Sequence, residues 1–394
     1  MKSIEAIASK SDAHRALISA ALSETECRVI CNTTSQDIEA TKRCLNALKE
    51  GKKEMYCGES GSTLRFLLPV ICALGAEADF YPEGRLSERP LSPLYEELEK
   101  KGAALGKQGQ VPFTVRGRIC SGEYIIPGNI SSQFISGLLF ALPLLEGDST
   151  IVIKGVLQSE KYVNMTIDTL SAFGIHIEKR ENGYFVRGNQ KYRGPENYVV
   201  EGDWSNCAFF LAAGAVTGEK IKMTGLDLQS LQGDKEILDV LKAFGAEVSA
   251  EEHQITVCGT SLKGIQIHAE QIPDMVPAIA ALACRAEGET RITGAGRLRI
   301  KESDRLKTVS EVIRNLGGTV TELEEGLIIR GTGRLQGGEV SSYGDHRIAM
   351  MAAVMSLFSQ KKVILHGSEA VNKSYPGFYK DMEKLKFMSN LERK

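Results

Sequence analysis

Six times along the chain, a short run of Ser, Asp, Gly or Arg gives way to a stretch of Ala, Leu, Val and Met with almost no polar face. The starts are Ser9 (SKSDAHRALISAAL), Ser60 (SGSTLRFLLPVICAL), Ser131 (SSQFISGLLFALPLL), Asp203 (DWSNCAFFLAAGAV), Pro273 (PDMVPAIAALACRA) and Asp345 (DHRIAMMAAVMSL). Successive starts lie 51, 71, 72, 70 and 72 residues apart. Near-equal spacing marks a repeated supersecondary unit. Ser and Asp are helix N-cap residues, so each polar run predicts a helix start. The lack of a polar face behind it predicts a helix buried on most sides. Such starts present free N–H groups and positive dipole ends. Several facing one cavity would hold phosphates or carboxylates.

A second helical pattern follows within the units and ends in glycine, as in Met165–Gly174, Glu236–Gly245 and Thr308–Gly317. The glycine suits a C-terminal cap. β-prone segments come next: IHIEKR, AEVSAEEHQITV and GTVTELEEGLIIRG. Each unit therefore reads as strand, helix, strand, helix, then one or two strands. Six copies predict an α/β protein of two similar domains with three units each. The expected division is 9–201 for one domain, and 1–8 plus 202–394 for the other.

Composition narrows the function. The chain has 394 residues, 42% hydrophobic and 25% charged, with a formal net charge of −2. A bulk attraction to nucleic acid or an anionic membrane is not indicated. Anion binding must then come from local basic groups. The longest apolar runs, near Phe66–Gly75 and Ala208–Val216, are about half of a membrane span. MKSIEAIASK has no apolar signal core. The nine cysteines are scattered without zinc-ligand spacing, which suits free thiols in a reducing cytosol.

Several residues stand out at the helix starts. Lys10 and Arg15 lie in S-K-S-D-A-H-R, with Lys10 expected just before the helix; solvated surface charges are the alternative. Gly58-Glu59-Ser60-Gly61-Ser62-Thr63-Leu64-Arg65 is suited to close backbone approach to an anion, or is a simple turn. Arg89 precedes Pro90, which biases it toward an extended conformation. In Ser131-Ser132-Gln133, capping uses one serine and leaves Ser132 and Gln133 for a ligand. Lys301 and Arg305 are spaced i,i+4 and would share a helix face. Like charges there repel unless an anion lies between them. Asp274 is either an N-cap or a general base tuned by nearby cations. Asp345-His346-Arg347 opens the last buried helix, where a solvated face is not expected.

Taken in order, S-K-S-x-x-x-R, S-S-Q-F, K-E-S-D-R-L and D-H-R-x-A-M resemble the 5-enolpyruvylshikimate-3-phosphate synthase family, from about Ser9 to Lys373. The resemblance implies two domains of three βαβαββ units each, an inside-out α/β barrel type with the ligand cleft between them. It implies transfer of an enolpyruvyl group from phosphoenolpyruvate to the 5-hydroxyl of shikimate 3-phosphate, through a tetrahedral adduct, with no cofactor and no metal. By the same resemblance, Lys10, Ser11, Arg15, Ser131, Ser132, Gln133, Ser159, Tyr162, Asp274 and Lys301 meet shikimate 3-phosphate. Lys10, Gly61, Arg89, Gln133, Arg305, Arg347 and Lys373 meet phosphoenolpyruvate. Asp274 is the implied proton acceptor and Glu302 the acid–base partner, with Lys10 and His346 beside the reacting centre. A cytoplasmic, monomeric enzyme of aromatic amino-acid biosynthesis is expected, with no nucleic-acid or membrane partner.

Some positions depart from the family pattern. Only eight residues precede S-K-S, which leaves little chain for a first strand. Glu59, Ser62 and Phe66 alter the glycine loop, Ser159-Glu160-Lys161-Tyr162 lacks the frequent S-K-P-Y form, and Arg297 stands where Asn is common. The related UDP-N-acetylglucosamine enolpyruvyl transferases carry K-N and a loop cysteine, whereas this loop reads G-R-L-S-E-R-P. RNA 3′-phosphate cyclases share related units, but their nucleotide-handling motifs are absent. A degenerate, non-catalytic ligand-binding copy would have lost Asp274 or Glu302, and both are present.

Overall fold

The computed structural model describes residues 2–394. The chain forms two compact units, Lys10–Val200 and Met1–Ser9 with Glu201–Lys394. Each buries its own hydrophobic core. The first unit carries helices α1 (Lys10–Leu22), α2 (Gln36–Lys49), α3 (Gly61–Leu74), α4 (Leu94–Lys100), α5 (Ser132–Ala141) and α6 (Glu160–Ala172). The second carries α7 (Trp204–Thr217), α8 (Ile237–Phe244), α9 (Val276–Arg285), α10 (Arg305–Asn315), α11 (His346–Ser356) and α12 (Phe378–Lys384).

One sheet shows the repeat. Strands Glu54–Gly58 and Ala78–Pro82 pair in parallel across α3. Phe113–Gly117 pairs antiparallel with Ala78–Pro82, and Ala103–Leu105 closes the edge. The spatial order is first, second, fourth, third. It recurs in the sheets begun by Glu123–Pro127 and Gln266–His268. It recurs again with Lys2–Glu5 as the first strand beside Ile221–Thr224. The short N-terminal segment is therefore long enough for its strand.

Two repeats are reduced, contrary to six equal copies. Gly338–Ser341, Val363–His366 and Leu391–Arg393 make three parallel strands. Asn197–Val199 pairs only with Arg28–Ile30. After α2 ends at Lys49, the next repeat's strand begins at Glu54. No chain is left for a closing hairpin. That missing hairpin accounts for the short 51-residue interval between Ser9 and Ser60.

Five of the six apolar stretches form the five most buried helices, α3, α5, α7, α9 and α11, whereas α1 buries only one face. Every α11 residue is buried, as is all of α7 from Trp204 to Val216. These helices pack pairwise with α9. Residues such as Phe209, Phe210 and Leu211 are 0% exposed. Each such large apolar side chain contributes about 1.5–3 kcal/mol by leaving water. Burial likewise pushes the thiols of Cys44, Cys72 and Cys284 up to about 12, which keeps them protonated and inert. Among the described residues, no helix is long and apolar enough to cross a membrane.

In the first unit, α3 and α5 approach closely at Gly137. A Cβ there would lie 2.4 Å from the Arg65 carbonyl oxygen and 3.0 Å from Pro69 Cγ. Pro69 lies inside α3 and cannot donate a helical N–H to that carbonyl. Gly137→Ala is therefore expected to lower unfolding free energy by about 1–3 kcal/mol through overpacking, measured by urea denaturation.

Candidate active site

The second unit gathers charges around Arg305, whose side chain is 1% exposed. Arg305 is the first residue of α10, capped by Asp304, which accepts from the Lys307 N–H. Its Nε donates to Asp345 Oδ2 at 2.7 Å and its Nη1 to Asp274 Oδ1 at 2.6 Å. Its Nη2 donates to Glu302 Oε2 at 2.6 Å and to Asp345 Oδ1 at 3.2 Å. A guanidinium has five N–H donors, so these bonds leave a single one for a ligand. Asp345, Glu302 and Asp274 together raise the Arg305 pKa against the opposing effect of burial.

Asp274 lies in a 3₁₀ turn, Pro273–Met275, ahead of α9 and does not cap that helix. Lys301 Nζ is 3.3 Å from its Oδ1 and Arg347 Nη2 is 3.6 Å from its Oδ2. Arg347 Nη1 also donates to the Asp274 carbonyl at 3.1 Å. Burial opposes ionisation of Asp274, but Lys301, Arg347 and Arg305 outweigh it. They hold its carboxyl well below the usual carboxylate range. Lys301 lies at the end of a 3₁₀ turn and precedes α10, so it shares no helix face with Arg305. Their repulsion is relieved by Asp274, which both contact, and no bound anion is needed.

Asp345 caps α11 by accepting from the Arg347 N–H at 3.0 Å. That leaves His346 and Arg347 as the outgoing side chains of this helix start. His346 is 2% exposed, with Nδ1 3.8 Å from Asp345 Oδ1. Lys373 ends a 3₁₀ turn, Ser368–Lys373, and is buried. The next residue, Ser374, donates to Asn206 Oδ1 of α7 at 3.1 Å, which anchors the turn.

The first unit gathers a second cationic set. Lys10 is the first residue of α1, inside the helix, and its Nζ is 2.8 Å from Asp37 Oδ2 of α2. Arg15 is 3% exposed. Its Nε donates to Thr166 Oγ1 at 2.8 Å and its Nη2 to the Tyr162 carbonyl at 2.8 Å. Its Nη1 donates to the Ser11 carbonyl. Its guanidinium lies over the Phe66 ring, 5.3 Å from the centroid. Ser159 begins α6 in the left-handed region at φ 56°, which is uncommon for a side-chain-bearing residue and marks a constrained turn. Tyr162 N–H donates to its carbonyl at 3.1 Å.

Ser131 caps α5 as expected, accepting from the Gln133 N–H. Ser132 is buried at the first helical position. The Gln133 side chain is already engaged: Oε1 accepts from Arg65 Nη1 at 2.8 Å, and Nε2 donates to Ser62 Oγ at 2.9 Å. Arg65 Nη2 also donates to the carbonyl of Pro90, next to Arg89, at 3.1 Å. A Cβ on Gly61 would lie 3.0 Å from Arg89 Nη1 and 3.4 Å from Arg65 Nη1. The missing side chain lets two guanidinium groups come close to the α3 start.

Sequence reasoning missed Arg65, Asp37 and Asp345 as organisers of these sets. The only signal for Arg65 was its place one turn after Gly61. Phe66 stood out as a departure, and it supports Arg15. Glu59 is turned against Gly84, where a Cβ would lie 2.6 Å from Glu59 Oε1. Removing Arg305 would strip the buried Asp345 carboxylate of its guanidinium partner and take one partner each from the partly exposed Asp274 and Glu302. Arg305→Met is therefore expected to cost about 3–5 kcal/mol of folding stability in urea titration. Arg305→Lys, with three donors for four bonds, is expected to cost less.

A model of the family described as EPSP synthase (3-phosphoshikimate 1-carboxyvinyltransferase) matches residues 1–55 and 50–382. The 3-phosphoshikimate 1-carboxyvinyltransferase of Clostridium acetobutylicum is 44% identical over 96% of this chain and 93% of its own. That of Brachyspira hyodysenteriae is 41% identical over 93% of this chain and 92% of its own. The structure of EPSP synthase from Acinetobacter baumannii is similar with a TM-score of 0.79 and 26% identity, covering 97% of this chain and 95% of that one. By sequence, fold and the ordered set of charged residues, the chain belongs to the EPSP synthase family.

Proposed function

We propose that the chain transfers the enolpyruvyl group of phosphoenolpyruvate to the 5-hydroxyl of shikimate 3-phosphate, releasing inorganic phosphate. This is a step of the shikimate pathway of aromatic amino-acid biosynthesis. In this reading the enzyme is monomeric and cytoplasmic. The observation that carries it is the Asp274 carboxylate set among Lys301, Arg305 and Arg347, with Glu302 on the same guanidinium. Addition–elimination needs a base, an acid and fixed cations for two phosphates and a carboxylate.

Asp274 is ionised and takes the proton of the 5-hydroxyl as its oxygen bonds to C2 of phosphoenolpyruvate. Glu302 enters the step as the neutral acid, with Oε2 still accepting from Arg305 Nη2, and delivers its proton to the methylene carbon, which becomes a methyl group. In the second half, Glu302 takes a methyl proton back, the C–O bond to phosphate breaks, and the phosphate leaves with the proton first held by Asp274. The free-state cations make Asp274 a weak base. Substrate phosphate and carboxylate groups that engage Lys301 and Arg347 offset that charge and restore its basicity when it is needed. Lys10, Arg15, Ser11, Ser131, Ser132, Ser159, Tyr162 and Lys301 hold shikimate 3-phosphate. Lys10, Gly61, Arg89, Gln133, Arg347 and Lys373 hold phosphoenolpyruvate, with the last N–H of Arg305. His346 sits beside the reacting centre.

Mixing both substrates with the protein is expected to release phosphate in a coupled assay, and neither alone should do so. No release with both present overturns the reading. Asp274→Asn and Glu302→Gln keep partners for Arg305 and are expected to lower kcat by about 10²–10⁴-fold, with far smaller changes in substrate binding. Turnover like that of the unmodified enzyme would exclude these roles. Burial pushes Lys301 down to about 8 against the pull of Asp274. Its charge is present below that pH and lost above it. kcat/KM for shikimate 3-phosphate is therefore expected to fall as pH rises through about 8, and Lys301→Arg to move the fall upward, because a guanidinium stays charged. The pH–rate profiles of the two proteins decide it.

A further inference from the structure

Helices α1 and α2 are joined by two polar rungs with the same offset of 27 residues. The outer rung is Lys10 Nζ to Asp37 Oδ2 at 2.8 Å, and the inner rung is His14 Nδ1 to Thr41 Oγ1 at 2.7 Å. Lys10 to His14 and Asp37 to Thr41 are each one helical turn, so each pair shares a face. The inner rung continues into α3. Thr41 Oγ1 is 2.6 Å from Thr63 Oγ1, and the Thr63 hydroxyl donates to Ser60 Oγ at 2.7 Å. Ser60 is the N-cap of α3, and Gly61 follows it. His14, Thr41, Thr63 and Ser60 are all 0% exposed.

One proton per hydroxyl makes this chain directional. Thr63 donates to Ser60, so its oxygen accepts from the Thr41 hydroxyl. The Thr41 oxygen must then accept from His14 Nδ1–H. His14 Nε2 is left as the bare nitrogen, and it has no hydrogen-bond partner among the described residues. Burial pushes His14 down to about 3, with Lys10 and Arg15 lowering it further and Asp37 raising it. The imidazole is therefore neutral across the working pH range. Four buried polar groups are a costly way to fill a core that apolar side chains would fill more cheaply.

We propose that Thr41 is a positioning residue that holds Lys10 and the Gly61 end of α3 at a set separation, and so sets the affinity for phosphoenolpyruvate. This rests on the reading that Lys10 and Gly61 both meet that substrate. An arriving anion competes with Asp37 for the Lys10 ammonium and loosens the outer rung. The inner rung is neutral and out of reach of solvent. It keeps α1, α2 and α3 in register while the outer rung changes partner. Lys10 also meets shikimate 3-phosphate in that reading, but Arg15 holds the same substrate and is tied to α6 through Thr166 and Tyr162, so shikimate 3-phosphate binding is less dependent on Thr41.

The test compares Thr41→Val, Thr63→Val, the double variant, Thr41→Ser and a control, Thr169→Val, in the full chain. Thr169 is 2% exposed and its hydroxyl donates to the Met165 carbonyl within α6 at 2.9 Å, so the control loses a comparable buried bond elsewhere. Thr41→Val is expected to raise KM for phosphoenolpyruvate roughly 10- to 100-fold, the scale of a small misplacement of binding groups. The affinity for shikimate 3-phosphate should shift far less. Thr41→Ser should restore the KM, and Thr169→Val should lower the melting temperature without changing it. The double valine variant should raise KM no further than Thr41→Val, because both break one chain. Equal melting shifts in Thr41→Val and Thr169→Val with an unchanged KM would overturn the proposal, as would an equal loss of affinity for both substrates. Should Thr41→Val not fold, Thr63→Val and Thr41→Ser carry the same comparison. An unmodified enzyme that releases no phosphate would instead remove the proposed reaction, a different and separable failure.

Discussion

One buried guanidinium organises the second unit. Arg305 satisfies carboxylates from three separate segments: the turn before α9, the loop before α10 and the start of α11. In a low-dielectric setting an uncompensated carboxylate costs several kcal/mol. Those segments must therefore meet on Arg305 for this part of the chain to fold. The spacing of Asp274 and Glu302 is then limited by the width of a single planar fork. Placement of an acid–base pair follows from charge neutralisation, with no need for a separate scaffold.

The first unit reaches a comparable end by other means. Arg15 is held by hydrogen bonds to α6 and by the Phe66 ring, and Arg65 is held by Gln133 and Pro90. Lys10 is held by a carboxylate, that of Asp37. Thr166, Gln133 and the backbone carbonyls of Tyr162 and Pro90 orient these guanidinium groups without themselves supplying a countercharge. A guanidinium with four of its five donors on carboxylates, as in Arg305, suits a group meant to orient them.

The helix starts divide their labour in a regular way. Ser60, Ser131, Asp203 and Asp345 each accept a backbone N–H of their own helix. Presentation falls to the next residues: Gly61, Ser132, Gln133, His346 and Arg347. The Asp203 start is an exception. Its Ser205 hydroxyl is bonded to Asp234, and Asn206 accepts from Ser374. That helix start contributes by fixing the turn that carries Lys373.

Much of this was legible in the residues alone. The buried helices were readable because stretches such as AFFLAAGAV have no polar face to leave in water, and Ser60, Ser131, Asp203 and Asp345 cap as local chemistry requires. The short first interval was not legible in this way: only the structure shows it to be a repeat without its hairpin. What stayed hidden was which charges neutralise which. Lys301 and Arg305 look like neighbours on one helix, yet a helix boundary falls between them and Asp274 separates their charges. Arg65 looks like one more helical arginine until Gln133, Gly61 and Pro90 are brought to it. Lys2–Glu5 gains its strand from Ile221–Thr224, far along the chain. The sequence by itself determined the repeat, the helix starts and the inventory of cations and carboxylates, since periodicity and capping act over a few residues. Only the tertiary structure decided their pairing, because ion pairs and side-chain hydrogen bonds depend on distances of a few ångströms between segments that chain order leaves open.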